Sequence, residues 1–320
     1  MHKLLPLPLL LCLLVCSLGI VPRAGSAQEA QTRKAVLVTG ASTGIGRKIT
    51  EVLAGNGHFV YAGARKDTDL AELNAIENVE AVRLDVTVQA DIDAAVAHIT
   101  EAGRGLHGVV NNAGVAVFTP MNETPEADIE FVFDVNVYGP YRINKAFTPL
   151  LIANKGRTTT IGSISGFVSG ARGGTYSMSK FAVEAYTDAL AAELAESGVH
   201  VSVIEPGGFK SKIREKVVMH LMNKTPGELA DLTAEEQERL ERIKERNAAL
   251  KDPDEVAEAT LHALFAETPK PRYMVTPNQE EADVTIRTVL TRVAQLNADQ
   301  PYSYSLEQLT EMLREAMAEQ

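Results

Sequence analysis

Cysteine is nearly absent from this chain. The 320 residues include only Cys12 and Cys16, both within the first 27, so a chain processed behind that segment carries no thiol and no disulfide framework. Positive charge is also in short supply: 31 Lys and Arg stand against 42 Asp and Glu, a formal net charge of -11, which argues against a nucleic-acid partner. These charges are spread along the chain and read as solvated surface. There is no internal repeat and no low-complexity tract, and the potential metal ligands are too scattered for a metal site. Hydrophobic residues make up 45% of the chain. That is enough for a sizeable core, and one α/β domain of about 250 residues with extensions accounts for the length better than two domains.

The amino terminus stands apart. One lysine is followed by an uncharged apolar run from Leu4 to Val21 and then by small residues at Gly25 and Ala27, the pattern of a secretory signal cleaved after Ala27. Pro6 and Pro8 favour that reading and place the mature chain in an exported, periplasmic or secreted compartment. The run is also just long enough for an uncleaved single-pass membrane anchor, the alternative. Sequons at Asn122 and Asn223 matter only on a eukaryotic secretory route.

Tyr176 and Lys180 lie four residues apart in an apolar-periodic stretch, with Ser163 thirteen residues upstream. On a helix, positions i and i+4 share a face, so the Lys180 charge favours the ionised phenol, and a tyrosine with a lowered pKa is a usable general acid/base near neutral pH. The spacing alone does not decide, because Tyr141 and Lys145 repeat it. Asp128, not a serine, stands thirteen residues before that second pair.

Val36 to Thr39 reads as a short buried strand. Ile45, Ile49, Val52 and Leu53 recur at helical spacing after Gly40, Gly44 and Gly46. A glycine-rich turn between strand and helix offers bare backbone amides at the positive end of a helix dipole, where a pyrophosphate binds. The spacing is Gly-x-x-x-Gly-x-Gly, and a glycine turn by itself also serves any sharp strand-to-helix connection.

TGASTGIG, NNAG (Asn111 to Gly114), FDVNVYG around Asn136, GSISG, YSMSK and EPGGFKS (Glu205 to Ser211) follow one another in an order and spacing that resemble the short-chain dehydrogenase/reductase family. The resemblance is close from Lys34 to Lys212. It resumes at DPDEVAEA and PKPRYMV, a combination similar to the retinol and hydroxysteroid dehydrogenase branch. It implies a single doubly wound parallel sheet of Rossmann type over residues 34–277, a substrate lid at 213–250 and a helical extension over 278–320. It also implies catalysis by Ser163, Tyr176, Lys180 and Asn136, the last holding a water that links Lys180 to solvent. Gly40, Ser42, Gly44, Ile45, Gly46, Arg65, Asp85, Asn111, Ala113, Gly114, Tyr176, Lys180, Pro206, Gly207 and Ser211 are the implied cofactor contacts, with Asn111 open to a purely structural role.

Strands are expected at Ala35 to Thr39, His58 to Ala64, Val79 to Asp85, Gly108 to Asn112, Thr158 to Ser163, His200 to Glu205 and Arg272 to Val275, alternating with helices. The segment Phe59 to Lys66 lacks the acidic residue that usually holds the NAD 2′-hydroxyl; Arg65 and Lys66 stand there instead, which favours NADP over NAD. The apolar Val217, Val218, Met219, Leu221 and Met222 suggest a small lipophilic alcohol or ketone, steroid- or retinoid-like, or else pack the insertion onto the body. The last forty residues read as two amphipathic helices split at Asn297 to Pro301, covering either the cleft or a contact in a homo-oligomer. The expected activity is an NAD(P)(H)-dependent oxidoreductase on a secondary alcohol or ketone. An acyl-type ketone reductase and a catalytically silent dinucleotide-binding redox sensor are the alternatives.

Overall fold

The computed structural model describes residues 33–222 and 232–319. The export or anchor segment and the Asn223 sequon lie outside the described residues. Seven strands form one sheet: β1 (Ala35–Val38), β2 (Phe59–Ala64), β3 (Val79–Arg83), β4 (Gly108–Asn111), β5 (Arg157–Ile161), β6 (His200–Pro206) and β7 (Arg272–Val275). Their order is β3-β2-β1-β4-β5-β6-β7 and every pairing is parallel. Between and after them run α1 (Gly44–Gly55), α2 (Asp67–Asn74), α3 (Gln89–Glu101), α4 (Glu126–Phe133), α5 (Gly139–Ala153), α6 (Gly174–Leu194), α7 (Ile213–Leu221), α8 (Ala234–Ala248), α9 (Asp254–Phe265), α10 (Gln279–Asn297) and α11 (Leu306–Ala318).

Parallel strands need crossover connections, and helices on both faces bury the sheet completely. The central strand β1 shows the result: all four residues are buried, and they alternate between two cores. Val36 and Val38 pack with Ile49 and Leu53 of α1 and with Val256 and Leu264 of α9. Ala35 and Leu37 pack with Ile92 and Ile99 of α3 and with Ile143 and Phe147 of α5 on the other face. The strand order reverses between β1 and β4, so the connections leaving their carboxyl ends part to opposite faces and leave a crevice, the usual ligand position in such sheets.

Two further features bear on the site. The apolar residues of the insertion are largely turned inward: Val217, Val218 and Met219 are buried, and Met219 packs with Leu232 and Leu240 of the same insertion, with Met222 against them. At Met219 and Met222 the packing role therefore holds. Helix α7 is also tied to α4, because His220 Nε2 lies 2.8 Å from Asp128 Oδ1 and the His220 ring stacks on Phe131. The extension is helical on either side of the expected break. Helix α10 lies against α6, with the Arg292 guanidinium 4.8 Å from the Phe181 ring centre, while α11 has no buried residue.

Candidate active site

The turn after β1 is shaped by contacts that leave no room for side chains. Gly40 and Gly44 have φ of +63° and +59°, a backbone region that costs glycine nothing. A Cβ on Gly40 would meet Ala113 Cα at 2.9 Å, and one on Gly46 would meet Asn112 Nδ2 at 2.2 Å. The loops after β1 and β4 are laced together. Thr39 Oγ1 accepts from the N–H groups of Asn112 and Ala113, and Asn112 Nδ2 donates to the carbonyls of Thr39 and Gly40 at 2.9 and 3.0 Å. Asn112 was not among the residues expected to matter. Its signal was its place beside Asn111 in NNAG, although nothing in the sequence says which asparagine ties the turn.

Asn111 itself faces the interior. Its Nδ2 donates to Asn144 Oδ1 and Thr158 Oγ1, so the structural role left open for it is the one its side chain performs. At the end of β2, Arg65 is largely exposed and its Nη1 lies 3.3 Å from Asp85 Oδ2. Asp85 also accepts from the Thr87 N–H and hydroxyl. Burial alone would raise its pKa, but the Thr87 bonds and the Arg65 charge outweigh burial and hold it below the usual carboxylate value. Lys216 of α7 joins this basic corner: burial and then the neighbouring Arg65, Lys212 and Lys66 charges, against a pull from Asp69, hold it below the ordinary lysine value.

Ser163, Tyr176 and Lys180 come together at the carboxyl end of β5. Ser163 is buried; its Oγ accepts from the Ser165 N–H at 3.1 Å and lies 3.4 Å from the Pro206 carbonyl. The Ser163 hydroxyl acts on the Tyr176 phenol in the direction that favours its ionised form. Lys180 Nζ donates to the Ile161 carbonyl at 2.8 Å and stands 5.6 Å from the Tyr176 ring centre. The competing pair has nearly the same local geometry, with Lys145 Nζ 5.7 Å from the Tyr141 ring centre. Burial separates them: Tyr141 and Lys145 are both exposed on α5, whereas Tyr176 is half-buried and Lys180 is buried.

The pKa expectation for the tyrosine needs correction. Burial pushes the Tyr176 phenol up to about 12, and only the Ser163 bond acts the other way. Burial lowers Lys180 to about 8, partly offset by Glu184. The protein groups alone therefore keep the phenol protonated, set to donate a proton. Phe118, which no motif marks, packs edge-on against Tyr176 with ring centres 6.1 Å apart. Met121 lies against Gly174 and Thr175 at the start of α6.

Asn136 lies in a π-helical turn, Asp134–Tyr138, between α4 and α5. Its amide is bonded at both ends: Oδ1 accepts from the Val115 N–H, and Nδ2 donates to the Val115 carbonyl and to Ser179 Oγ. Ser179 in turn donates to the Tyr176 carbonyl, so Asn136 braces α6 at the tyrosine. The loop after β6 closes the arrangement. Ser211 approaches Gly44, where a Cβ would meet Ser211 Cβ at 3.2 Å, and Gly208 N–H donates to Glu281 of α10 at 2.7 Å. Gly114 and Ala113 border the crevice; Ser42 and Ile45 lie in and just after the glycine turn. An open hollow of about 390 Å³ between α1, α8 and this loop is rimmed by Gly44 and Ser211. It does not reach Ser163, Tyr176 or Lys180, so it is not where the reacting carbonyl would sit. Among the described residues there is no cluster of His, Cys, Asp and Glu that could hold a metal ion.

A family model described as short chain dehydrogenase matches residues 34–221, more than half of the chain. The protein belongs to the short-chain dehydrogenase family. Its relatives include the mitochondrial D-beta-hydroxybutyrate dehydrogenase of Rattus norvegicus, 31% identical over 78% of this chain and 78% of the relative. Retinol dehydrogenase 16 of Mus musculus is 32% identical over 75% of this chain and 80% of the relative. Among solved structures, a variant of actinorhodin polyketide ketoreductase with NADPH superposes with a TM-score of 0.64 at 26% identity, covering 77% of this chain and 96% of that one. The family assignment accounts for the parallel sheet, the glycine turn and the Ser-Tyr-Lys cluster at one crevice.

Proposed function

We propose that this short-chain dehydrogenase interconverts a lipophilic secondary alcohol and its ketone with NADP(H), using Tyr176 as the proton donor and acceptor. The observation that carries the reading is the Ser163–Tyr176–Lys180 cluster, with Ser163 and Lys180 buried behind a half-buried Tyr176, beside a glycine turn too tight for side chains. The residues present fit a dinucleotide. The turn presents the amino end of α1, where a pyrophosphate is favoured, and the basic corner of Arg65, Lys66, Lys212 and Lys216 suits a 2′-phosphate. Gly40, Ser42, Gly44, Ile45 and Gly46 would hold the pyrophosphate side, Asp85, Ala113 and Gly114 the adenosine side, and Pro206, Gly207 and Ser211 the nicotinamide side. When bound, the reduced cofactor supplies a hydride to the carbonyl carbon.

The chain's own residues then manage the oxygen. As charge grows there, Ser163 and Tyr176 donate hydrogen bonds to it and Tyr176 gives up its proton. The Lys180 ammonium offsets the phenolate that remains. Phe118 beside Tyr176 provides an apolar surface, which supports a lipophilic carbonyl compound; the similarity to a retinol dehydrogenase points the same way. Asn136 braces Ser179 and, through it, the backbone of Tyr176, and in this reading it also holds a water that links Lys180 to solvent.

The test is a panel of steroids, retinoids, small ketones and acyl thioesters with NADPH and NADH, followed by absorbance of the reduced nicotinamide. Turnover of a steroid or retinoid ketone with NADPH supports the reading. Preference for acyl thioesters would move the protein to the acyl-type ketone reductases. Dinucleotide binding without turnover of any class would favour a redox sensor.

A further inference from the structure

Behind Lys180 the protein buries a second charged cluster that the reaction above does not use. Glu184 lies one helical turn beyond Lys180 on α6, and Glu205 lies on β6; they are 7% and 2% exposed. From β7, Arg272 Nε stands 3.2 Å from Glu184 Oε2 and 3.4 Å from Glu205 Oε1, while its Nη2 is 2.6 Å from Asp188 Oδ1 on the next turn of α6. Both carboxylates thus converge on the one Arg272 Nε, and each acts on the other's titration. Even so, Glu184 Oε1 and Glu205 Oε1 accept no hydrogen bond from a protein donor.

Two ionised carboxylates cannot share such a site at low cost when one guanidinium, itself divided with Asp188, is the cation between them. A single proton removes the conflict: the O–H of one carboxylic acid donates to the other carboxylate, and both unpaired oxygens are satisfied. Burial raises both carboxyls above the ordinary carboxylate value; Glu184 Oε2 accepts the Arg272 Nε hydrogen bond while Glu205 Oε1 accepts none, which places the proton on Glu205.

The pair sits directly under the catalytic residues. A Cβ on Gly162 would lie 3.1 Å from Glu184 Oε1, and one on Gly166 would lie 3.0 Å from the same atom, so Glu184 fills the space beneath the turn that carries Ser163. Glu184 is also the negative charge that acts on the buried Lys180 ammonium. The charged groups facing the pair are Lys180 and Asp188 on its own helix and Arg272 on β7.

We propose that Glu184 and Glu205 share one proton at neutral pH and that the single negative charge left on the pair positions the Lys180 ammonium and the Ser163 turn from below. Glu184 is thus a positioning residue, acting through Lys180 without touching substrate. This rests on Lys180 serving in the hydride-transfer site, but the shared proton can be read without any turnover. Infrared difference spectra of Glu205→Gln against the wild-type chain at pH 7 should show the C=O band of a protonated carboxyl in the wild type and its loss in the variant. Absence of that band from the wild type overturns the shared proton, whatever the chain catalyses.

The positioning role is read from the pH profile of reductive kcat/KM. Removing the charge in Glu184→Gln should move the alkaline limb to lower pH by about half a unit or more. Glu205→Gln, which replaces an acid O–H by an amide N–H without changing charge, should leave the limb in place. An unmoved limb in Glu184→Gln, or equal displacement in both variants, contradicts it. If Glu184→Gln does not fold, Glu205→Gln still decides the first half: at pH 9 it should unfold at a higher temperature than the wild type, which must either keep the proton or bury two charges, and a lower unfolding temperature refutes the shared proton.

Discussion

Replacing Gly46 by alanine is the sharpest perturbation of the cofactor turn, because two simple arguments give opposite signs. Gly46 lies near the start of α1, and helix propensity alone makes Gly46→Ala stabilising by about 1 kcal/mol. The local geometry predicts the reverse. The new Cβ would stand 2.2 Å from Asn112 Nδ2 and 2.4 Å from the Gly40 carbonyl oxygen, both inside the 3.0 Å that real Cβ atoms respect. Swinging the Asn112 amide away sacrifices its bonds to the Thr39 and Gly40 carbonyls, at about 1 kcal/mol each. The Gly40 oxygen has less freedom, since Gly40 has φ of +63° and is pressed against Ala113, so the turn itself must open, an overpacking cost of about 1–3 kcal/mol. Together these cost about 3–5 kcal/mol, about 2–4 kcal/mol net of the propensity gain, and at about 2–4 °C per kcal/mol Tm should fall by on the order of 10 °C. Asn112→Ala, which removes only the bonds, should lose about 2 kcal/mol. The double variant should not recover, because the clash with the Gly40 oxygen remains. Thermal unfolding and an NADPH titration by fluorescence read both effects. A Gly46→Ala chain with unchanged or raised Tm and wild-type NADPH affinity would refute the account of the turn.

Three further outcomes are expected. Arg65→Ala should weaken NADPH binding by about 1.5–3 kcal/mol, the range for hydrogen bonds to charged groups, and leave NADH almost untouched; a wild-type chain that binds NADH tenfold more tightly than NADPH would show that the basic corner is not a 2′-phosphate site. Lys180 has its pKa lowered by burial to about 8 and must be charged to offset the phenolate, so reductive kcat/KM should hold below that pH and fall as pH rises through it; a profile flat to pH 10 speaks against the role of the ammonium. For the amino terminus, the run Leu4 to Val21 followed by Gly25, Ser26 and Ala27 leads us to propose that the mature chain starts near Gln28 and is soluble; intact mass and fractionation from the native host would reveal an uncleaved, membrane-held chain instead.

The sheet was legible because period and composition agree there. Each of the seven expected strands is present, with ends displaced by no more than two residues: β1, β2 and β4 are apolar runs bounded by turn residues, and β5, Arg-Thr-Thr-Thr-Ile, shows through its β-branched residues. The Ser163–Tyr176–Lys180 cluster was also legible, but only through the serine. The Tyr141–Lys145 pair adopts nearly the same local geometry, and what distinguishes the two is how much protein covers each, a tertiary property. The same cause explains the misjudged phenol. Spacing revealed the lysine beside it, whereas the depth of burial that raises its pKa depends on elements far away in sequence. Asn112, Phe118, Ser179 and the Glu184–Glu205–Arg272 cluster were illegible for a related reason, as each acts through partners on other elements. In the insertion, an apolar stretch equally consistent with lining a pocket and filling a core proved at Met219 to pack within the insertion itself.

The claim that Tyr176 moves the proton is tested most directly by steady-state reduction of a lipophilic ketone with NADPH by Tyr176→Phe and Tyr141→Phe side by side. Tyr176→Phe should lower kcat by at least about a hundredfold, the scale of a lost general acid, with NADPH affinity little changed, and Tyr141→Phe should match the wild type. Comparable losses in the two variants, or a Tyr176→Phe enzyme that keeps its kcat, would contradict the account.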